Sequence, residues 1–427
     1  MRLGLALAST RGVNAASRLF GRGQGTVAGG RVGLAIEPQL LQRLTAHVDV
    51  SLVTGTNGKT TTTRLLCVAL GADGTRVVSN DTGSNMPPGH VAALASDRAA
   101  TRAVLEVDEI YLPRVLTATA ATAVVLLNLS RDQLDRSNEV RMVANRWRAA
   151  LAAAPHTAVI ANADDPLVAW GAGLAAQVHW VGAGLRWRLD ATGCPSCEGR
   201  IAFDDGDPGW SCAQGCGFTR PVPEATWHGS DITLADGTTR PLSLALPGRF
   251  NRSNALMAVV AATTQGVAPD DAVAAVGAVD HVAGRFTVRA IGGARARLML
   301  AKNPAGWSEL LDLVADESTP VVVSINARIA DGADPSWLWD APFERLVGRR
   351  VVATGDRRHD LSVRLHYAGV EHTVVEDPAR ALTVAAAASD PHQLVDAIGN
   401  YTAFHDFLAM GESTVTPDAG AAEVSSR

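Results

Sequence analysis

Short apolar runs alternate with helically spaced apolar stretches along most of the chain. The runs at 50–53, 102–107, 122–127, 157–160, 176–181, 319–325, 349–353 and 371–375 are rich in β-branched and other apolar residues. That is the pattern of strands covered on both faces. Ala-rich segments with helical spacing lie between several of them, such as 139–154 and 378–388. Residues 60–70 put Leu65, Leu66, Ala69 and Leu70 on one side and end at Gly71, which reads as a helix with its stop. The alternation predicts parallel α/β sheets. No internal repeat is visible, and the Ala/Ser/Glu/Pro-rich stretch after Met410 reads as a disordered tail.

The first strand runs into "TGTNGKTTT" at 54–62. Strand, glycine loop, Gly-Lys-Thr and helix make a phosphate cradle, with backbone N–H groups facing the anion at the helix N-terminus. Gly55, Thr56, Asn57 and Gly58 form the loop. Lys59 reaches the terminal phosphates, Thr60 offers its hydroxyl to Mg²⁺, and Thr61 continues the turn. The strict G-x-x-x-x-G-K-[ST] pattern fails because residue 53 is Val. Composition sharpens the reading: of 38 Lys+Arg, only Lys59 and Lys302 are lysine. A compact ammonium has been kept in two places where a planar guanidinium does not substitute. Acidic residues gather at the next strand ends, namely Glu106 with Asp108 and Glu109, then Asn128 with Asp132 and Asp135. Such groups suit Mg²⁺ beside a phosphate loop.

Bulk properties bound the rest. A chain of 427 residues with 47% hydrophobic and 19% charged content is folded and has room for two or three domains. A net charge of −5 gives no sign of general nucleic-acid binding. No run is long enough to cross a membrane, and "LGLALA" at 3–8 is too short for a signal peptide. Residues 1–36 hold five Arg (2, 11, 18, 22, 31) and no acid. This is either an amphipathic lead-in helix or a segment attracted to an anionic membrane face.

Four of the five cysteines form two close pairs, Cys194 with Cys197 and Cys212 with Cys216. This spacing predicts a tetrahedral thiolate site for structural Zn²⁺ in a small ribbon, read as an insertion over about 186–222. The alternative, two disulfides, does not suit an intracellular ATPase with a lone Cys67 in a helix.

The motifs "TGTNGKTTT", "LEVDE" (105–109), "NLSRDQLD" (128–135), "NADDP" (162–166), "PGRFNRSNALMA" (247–258) and "GRF" (284–286) occur in an order that resembles the Mur ligases. Those enzymes form amide bonds through an acyl-phosphate at the cost of ATP. The resemblance spans roughly 48–360. It implies that Lys59 and Thr60 handle phosphates and Mg²⁺ and that Glu106 is a metal ligand. Asn251 and Asn254 would meet the nucleotide base, with Asn162 and Asp165 nearby. Arg285, and Arg357 in a "GDR" loop, would join the nucleotide site.

Several positions depart from that pattern. Gln133 replaces the usual His of Asp-His-Leu-Asp, and Lys302 in "LAKNPAGW" stands where the ligases carry His. Only about 45 residues precede the loop, too few for a UDP-sugar domain. With the Cys₄ insertion, these features resemble the MurT family, the synthetase subunits of lipid II isoglutaminyl synthase. That resemblance implies amidation of the D-Glu α-carboxyl of lipid II, with ammonia from a GatD-like glutaminase. It also implies a carboxylate, Asp340 or Asp334, that serves the partner's catalytic His, and a role for Lys302 at the acyl-phosphate or γ-phosphate. The expected layout is a lead-in at 1–45, a Mur-ligase-like P-loop ATPase domain at 46–283 carrying the ribbon, a smaller α/β domain at 284–412 and a tail at 413–427. The enzyme would be cytoplasmic, with at most peripheral membrane contact. The alternatives are a free-standing amino-acid ligase of the folylpolyglutamate kind and a zinc-ribbon nucleic-acid-binding protein. The acids around the ribbon argue against the second.

Overall fold

The strand Asp49–Thr54 sends alternate side chains to opposite faces, as the twofold period of a strand requires. Val50 and Leu52 enter one core with Leu105, Val124, Val143 and Trp147. Val53 enters another with Leu65, Val125, Leu256 and Val259. Both faces are therefore covered by helices, which is why the strands read as continuous apolar runs. The computed structural model describes residues 2–19, 26–80, 84–131, 140–204, 208–279, 286–291, 293–315, 318–387 and 394–410. The described residues divide into two units, one up to residue 279 and one from residue 286 on.

In the first unit a nine-stranded sheet runs Thr239–Pro241, Asp231–Thr233, Ala225–His228, Gln177–Gly182, Ala158–Asn162, Ala123–Leu126, Asp49–Thr54, Arg102–Glu106, Val77–Ser79. Pairings from Ala225–His228 to Val77–Ser79 are parallel, and the first two pairings are antiparallel. The strand order reverses at Asp49–Thr54, so the crevice at its carboxyl end is where such sheets bind ligands. The antiparallel meander at 225–241 was not among the expected strands. Its members are three or four residues long, and its signal was the Asp236-Gly237 turn, with Gly237 at φ 74°.

The predicted helix at 60–70 is Lys59–Leu70, and those at 139–154 and 378–388 are Val140–Ala152 and Pro378–Ala387. At the N-terminus, the helices Arg2–Leu19 and Thr26–Ile36 pack on each other and against Pro87–Ser96. Arg11 Nε donates to the Ala95 carbonyl over 2.9 Å. No helix among the described residues is long and apolar enough to cross a membrane.

The second unit has a six-stranded sheet in the order Phe286–Ile291, Ala294–Leu300, Val395–Gly399, Val321–Ser324, Val351–Thr354, His372–Val374. All its pairings are parallel except the first. The ribbon enters between Gln177–Gly182 and Ala225–His228. It carries a short hairpin, Ile201–Phe203 with Trp210–Cys212.

Candidate active site

The phosphate loop is held open by its glycines. Gly55 has φ 139° and Gly58 φ 88°, backbone that L side chains rarely adopt. A Cβ at Gly55 would lie 2.8 Å from Leu127 Cβ, and one at Gly58 would collide with Asn254 Oδ1. The helix Lys59–Leu70 starts at Gly58 with no side-chain cap, so its N-terminal amides remain directed at the loop. Gly58→Ala is expected to cost about 1–2 kcal/mol in stability from the backbone alone. It should also weaken nucleotide binding by displacing Asn254. A thermal melt and a nucleotide titration of the purified variant check both.

Residues of the following strands brace this loop. Thr56 N donates to Asn128 O over 3.0 Å, and Asn57 N donates to Asn128 Oδ1 over 2.9 Å. Thr56 Oγ1 donates to Ser130 O and accepts from Ser130 N, at 3.0 and 2.9 Å. Lys59 Nζ lies 2.6 Å from Gly55 O, 3.2 Å from Thr56 O and 3.2 Å from Glu109 Oε1. Both members of this ion pair are mostly buried. Glu109 thus proves to be the anion that holds the lysine over the loop.

Thr60 Oγ1 donates to Glu106 Oε2 over 2.8 Å, and Glu106 is buried. A hydroxyl and a buried carboxylate oxygen beside a phosphate cradle are the hard oxygen donors that Mg²⁺ takes. Two residues that the sequence analysis missed fix Glu106. Asn80 Oδ1 accepts from Glu106 N over 2.8 Å, while Asn80 Nδ2 and His90 Nε2 lie 2.9 and 2.8 Å from Glu106 O. Burial lowers the His90 pKa to about 4, so its ring is neutral and Nε2–H is the donor. The only sequence signal for His90 was a lone histidine on the apolar side of a Pro-started helix.

Asn254 lies against Gly58, and Asn251 Nδ2 donates to Pro247 O over 2.6 Å. Both lie in the first turns of the helix Arg249–Thr264. Asn162 and Asp165 lie on the next strand end, but their polar atoms face the backbone. Asn162 Nδ2 bonds Leu127 O and Gly184 O at 3.0 and 3.1 Å. Asp165 accepts from Leu129 N and Leu167 N at 2.9 Å each, and from Val168 N. Burial raises the Asp165 pKa to about 6 against those amide bonds. These two residues tie the loop after Ala158–Asn162 to the backbone of residues 127–129. Arg285, Asp132, Gln133 and Asp135 lie outside the described residues.

The sulfurs of Cys194, Cys197, Cys212 and Cys216 lie within 4.8 Å of one another. Cys194–Cys216 and Cys197–Cys212 are 3.7 and 3.4 Å apart. A disulfide needs about 2.05 Å, whereas a tetrahedron with 2.3 Å metal–sulfur bonds has edges of about 3.8 Å. The cluster therefore has the spacing of a metal site and not of two disulfides. The thiols perturb one another in opposite directions: the Cys216 and Gln214 amides lower Cys212 to about 6, whereas burial raises Cys194 and neighbouring thiols push Cys197 up to about 12.

Residues 53–184 match the family model for the Mur ligase middle domain, and residues 300–404 match that for the MurT ligase C-terminal domain. The chain resembles MurT proteins and is an ATP-dependent ligase. It is 29% identical over 375 residues to a lipid II isoglutaminyl synthase (glutamine-hydrolyzing) subunit MurT of Streptococcus pneumoniae, covering 81% of this chain and 83% of that one. It is 28% identical over 418 residues to the protein of that name from Staphylococcus aureus strain COL, covering 92% and 94%. Among solved structures, a pseudomurein peptide ligase type C from Methanothermus fervidus superposes with TM-score 0.66 at 18% identity, over 87% of this chain and 81% of that one. MurF from Acinetobacter baumannii gives 0.64 at 15% over 88% and 79%. These two carry the fold alone.

In the C-terminal unit, Lys302 follows the strand Ala294–Leu300, with Nζ 5.1 Å from the Tyr401 ring centroid. A polar cluster that the sequence analysis missed lies at the carboxyl ends of neighbouring strands. Asn326 Nδ2 bonds Thr402 Oγ1 and Asp406 Oδ2 at 3.1 and 3.0 Å. Arg328 pairs with Asp356 and Asp406 at 2.8 and 2.9 Å. Arg357 Nε is buried with no partner among the described residues, and its NH1 lies 3.5 Å from Asp360.

The two tryptophans near Asp340 differ. Trp337 is buried and stacks on Trp307 at 5.9 Å, whereas Trp339 is 55% exposed and meets Tyr367 edge-on at 5.6 Å. Asp334 Oδ1 is engaged locally, accepting from Ser336 N over 2.8 Å. The segment holding Asp340 is fixed by buried Arg364, which donates to Leu338 O and Ala341 O at 3.0 and 2.7 Å. Asp334, Ser336, Trp339, His359, Asp360 and Val363 line an open groove of about 360 Å³.

Proposed function

We propose that the chain is the synthetase subunit that amidates the D-Glu α-carboxyl of the lipid II stem peptide, taking ammonia from a GatD-like glutaminase. The observation that carries this is the Lys59–Thr60–Glu106 arrangement in a glycine loop, on a chain whose likeness to MurT subunits extends over 92% of its length. Nothing in the cysteine inventory supplies a glutaminase nucleophile. Four of the five stand in the cluster, and Cys67 lies half-buried in the helix behind the phosphate loop. A partner that makes ammonia suits that chemistry.

The loop amides and Lys59 bind the ATP phosphates and offset the charge that develops as the γ-phosphoryl group transfers. To do so, Lys59 exchanges the Gly55 and Thr56 carbonyls for phosphate oxygens, while Glu109 keeps its stem oriented. Thr60 and Glu106 would hold Mg²⁺, which supplies further charge neutralisation when bound. The substrate carboxylate attacks the γ-phosphorus and ADP leaves. Ammonia then attacks the acyl carbon, and phosphate departs. Lys302 contacts the acyl-phosphate or the γ-phosphate in this reading. Lys302→Arg should lower amidation at least tenfold while the melting temperature stays put; full activity in that variant removes the role.

Asp340 serves the catalytic His of the partner, with the exposed Trp339–Tyr367 pair beside it. The four cysteine thiolates hold a structural Zn²⁺. Arg2 and Arg31, exposed on the N-terminal helix pair, give peripheral contact with the anionic inner membrane face from which a lipid-linked substrate would come.

The test is ADP release from purified chain with Mg²⁺, lipid II and three nitrogen arms: ammonium, glutamine plus partner, and free amino acids. ADP and amide product in the first two arms are expected. Turnover only with an amino acid would make the chain a free-standing ligase instead.

A further inference from the structure

The cysteine ribbon is anchored to the loop that follows Ala158–Asn162 and to the helix after it. Asp164 and Asp165 are adjacent buried carboxylates in the loop that follows Ala158–Asn162. Asp165 is satisfied by the amides of residues 129, 167 and 168. Asp164 has the Gly184 amide at 2.5 Å, and its ion-pair partner comes from the ribbon's base: Arg220 Nε at 2.6 Å from Oδ1. Removing that guanidinium takes a counter-charge away from a buried carboxylate, which is costly.

Two more anchors converge there. Trp210, inside the ribbon hairpin, donates its indole N–H to Ala163 O over 3.0 Å. Asp190, just before the first cysteine pair, accepts from Arg131 N at 3.0 Å and pairs with Arg131 Nε at 2.5 Å. The helix that follows the loop joins in, since Ala169 lies in the ribbon's small core with Cys194, Trp210 and Cys212. The path then continues to the glycine loop. Asp165 holds Leu129 N, and Ser130 holds Thr56 on both sides of its hydroxyl.

We propose that the ribbon is a positioning element for the nucleotide pocket, in which Trp210, Arg220 and Asp190 fix the loop after Ala158–Asn162 and the backbone of residues 129–131, so that metal loading of the cysteine cluster sets nucleotide affinity. The proposal rests on the nucleotide reading above. Its physical basis is that a ribbon of two three-residue strands has almost no core of its own. Its shape depends on the metal, and the loop's second buried charge depends on its shape.

The test titrates full-length chain with a fluorescent ADP analogue and Mg²⁺, and measures bound zinc and the melting temperature on each sample. Trp210→Phe keeps an aromatic six-membered ring in the ribbon core and removes the N–H together with the pyrrole ring that carries it. Arg220→Ala removes the counter-charge, and Arg220→Lys restores a cation. Cys197→Ser/Cys216→Ser removes two thiolates on the exposed side of the cluster. The Trp210→Phe and Arg220→Ala chains are expected to keep their zinc and bind the analogue about tenfold more weakly. Lysine at 220 should recover part of the loss. The double cysteine variant should lose zinc and bind at least tenfold more weakly. Should Arg220→Ala not fold, Trp210→Phe reports on the same loop. Wild-type affinity in the zinc-free chain, or in Trp210→Phe, overturns the proposal and leaves the nucleotide reading standing. No binding by the wild-type chain would sink both.

Discussion

Replacing Lys59 by Met is expected to lower ATP-dependent amidation by on the order of 10²–10³-fold, equivalent to about 3–4 kcal/mol of transition-state stabilisation. The side chain is only 11% exposed and is flanked by two loop carbonyls and Glu109. Its charge is therefore fixed in place before phosphate arrives, and little reorganisation is needed as the γ-phosphoryl group moves. Methionine keeps the length of the stem and removes the ammonium. Arginine is expected to do nearly as badly, because the loop closes around a point charge and has no room for a planar fork. The control is the melting curve. Losing the ion pair leaves Glu109 partly buried, so a modest drop is expected, but the chain should remain folded at assay temperature. Turnover above about a tenth of wild type in a folded Lys59→Met chain would remove the phosphate assignment and the reaction that depends on it.

The second large effect concerns Asp340. In the reconstituted complex, Asp340→Asn should depress glutamine hydrolysis by on the order of 10²–10⁴-fold. An orienting carboxylate changed to an amide leaves a catalytic histidine in the wrong tautomer. Arg364 grips the carbonyls of Leu338 and Ala341 on either side, so an isosteric change should leave the backbone where it is. The informative comparison replaces glutamine by ammonium chloride. Amidation should then proceed at the wild-type rate, because the phosphate loop is untouched. If glutamine hydrolysis is unchanged, the carboxylate is not Asp340. If the ammonium-driven reaction also falls, the residue acts on the fold and not on the partner.

The candidate site was legible wherever local backbone chemistry dictates it. The glycine loop, the lysine and the cysteine pairs are each written within a few residues, because a left-handed turn, a phosphate cradle or a thiolate knuckle is a local requirement. The residues that hold those parts in register were not legible. Asn80 and His90 reach Glu106 from 26 and 16 residues away. Glu109 reaches Lys59 across 50 residues, and Arg364 reaches Leu338 across 26. In sequence these are an ordinary Asn, a lone His, one acid among several and a helical Arg. Asn162 and Asp165 were found, but as nucleotide contacts. In the fold their side chains are occupied by backbone amides and carbonyls.

By itself, the sequence determined the α/β class, most of the parallel strands and several of the helices between them, the phosphate loop and the clustering of four thiols. Hydrophobic period and turn chemistry act over a few residues and need no knowledge of what packs where. Only the tertiary structure decided which carboxylate meets which hydroxyl, which tryptophan is buried and which is exposed, and what the ribbon touches. Those outcomes depend on how strands distant in sequence are ordered in the sheet. A buried charge such as Asp164 shows its need for a partner only once the chain has closed around it.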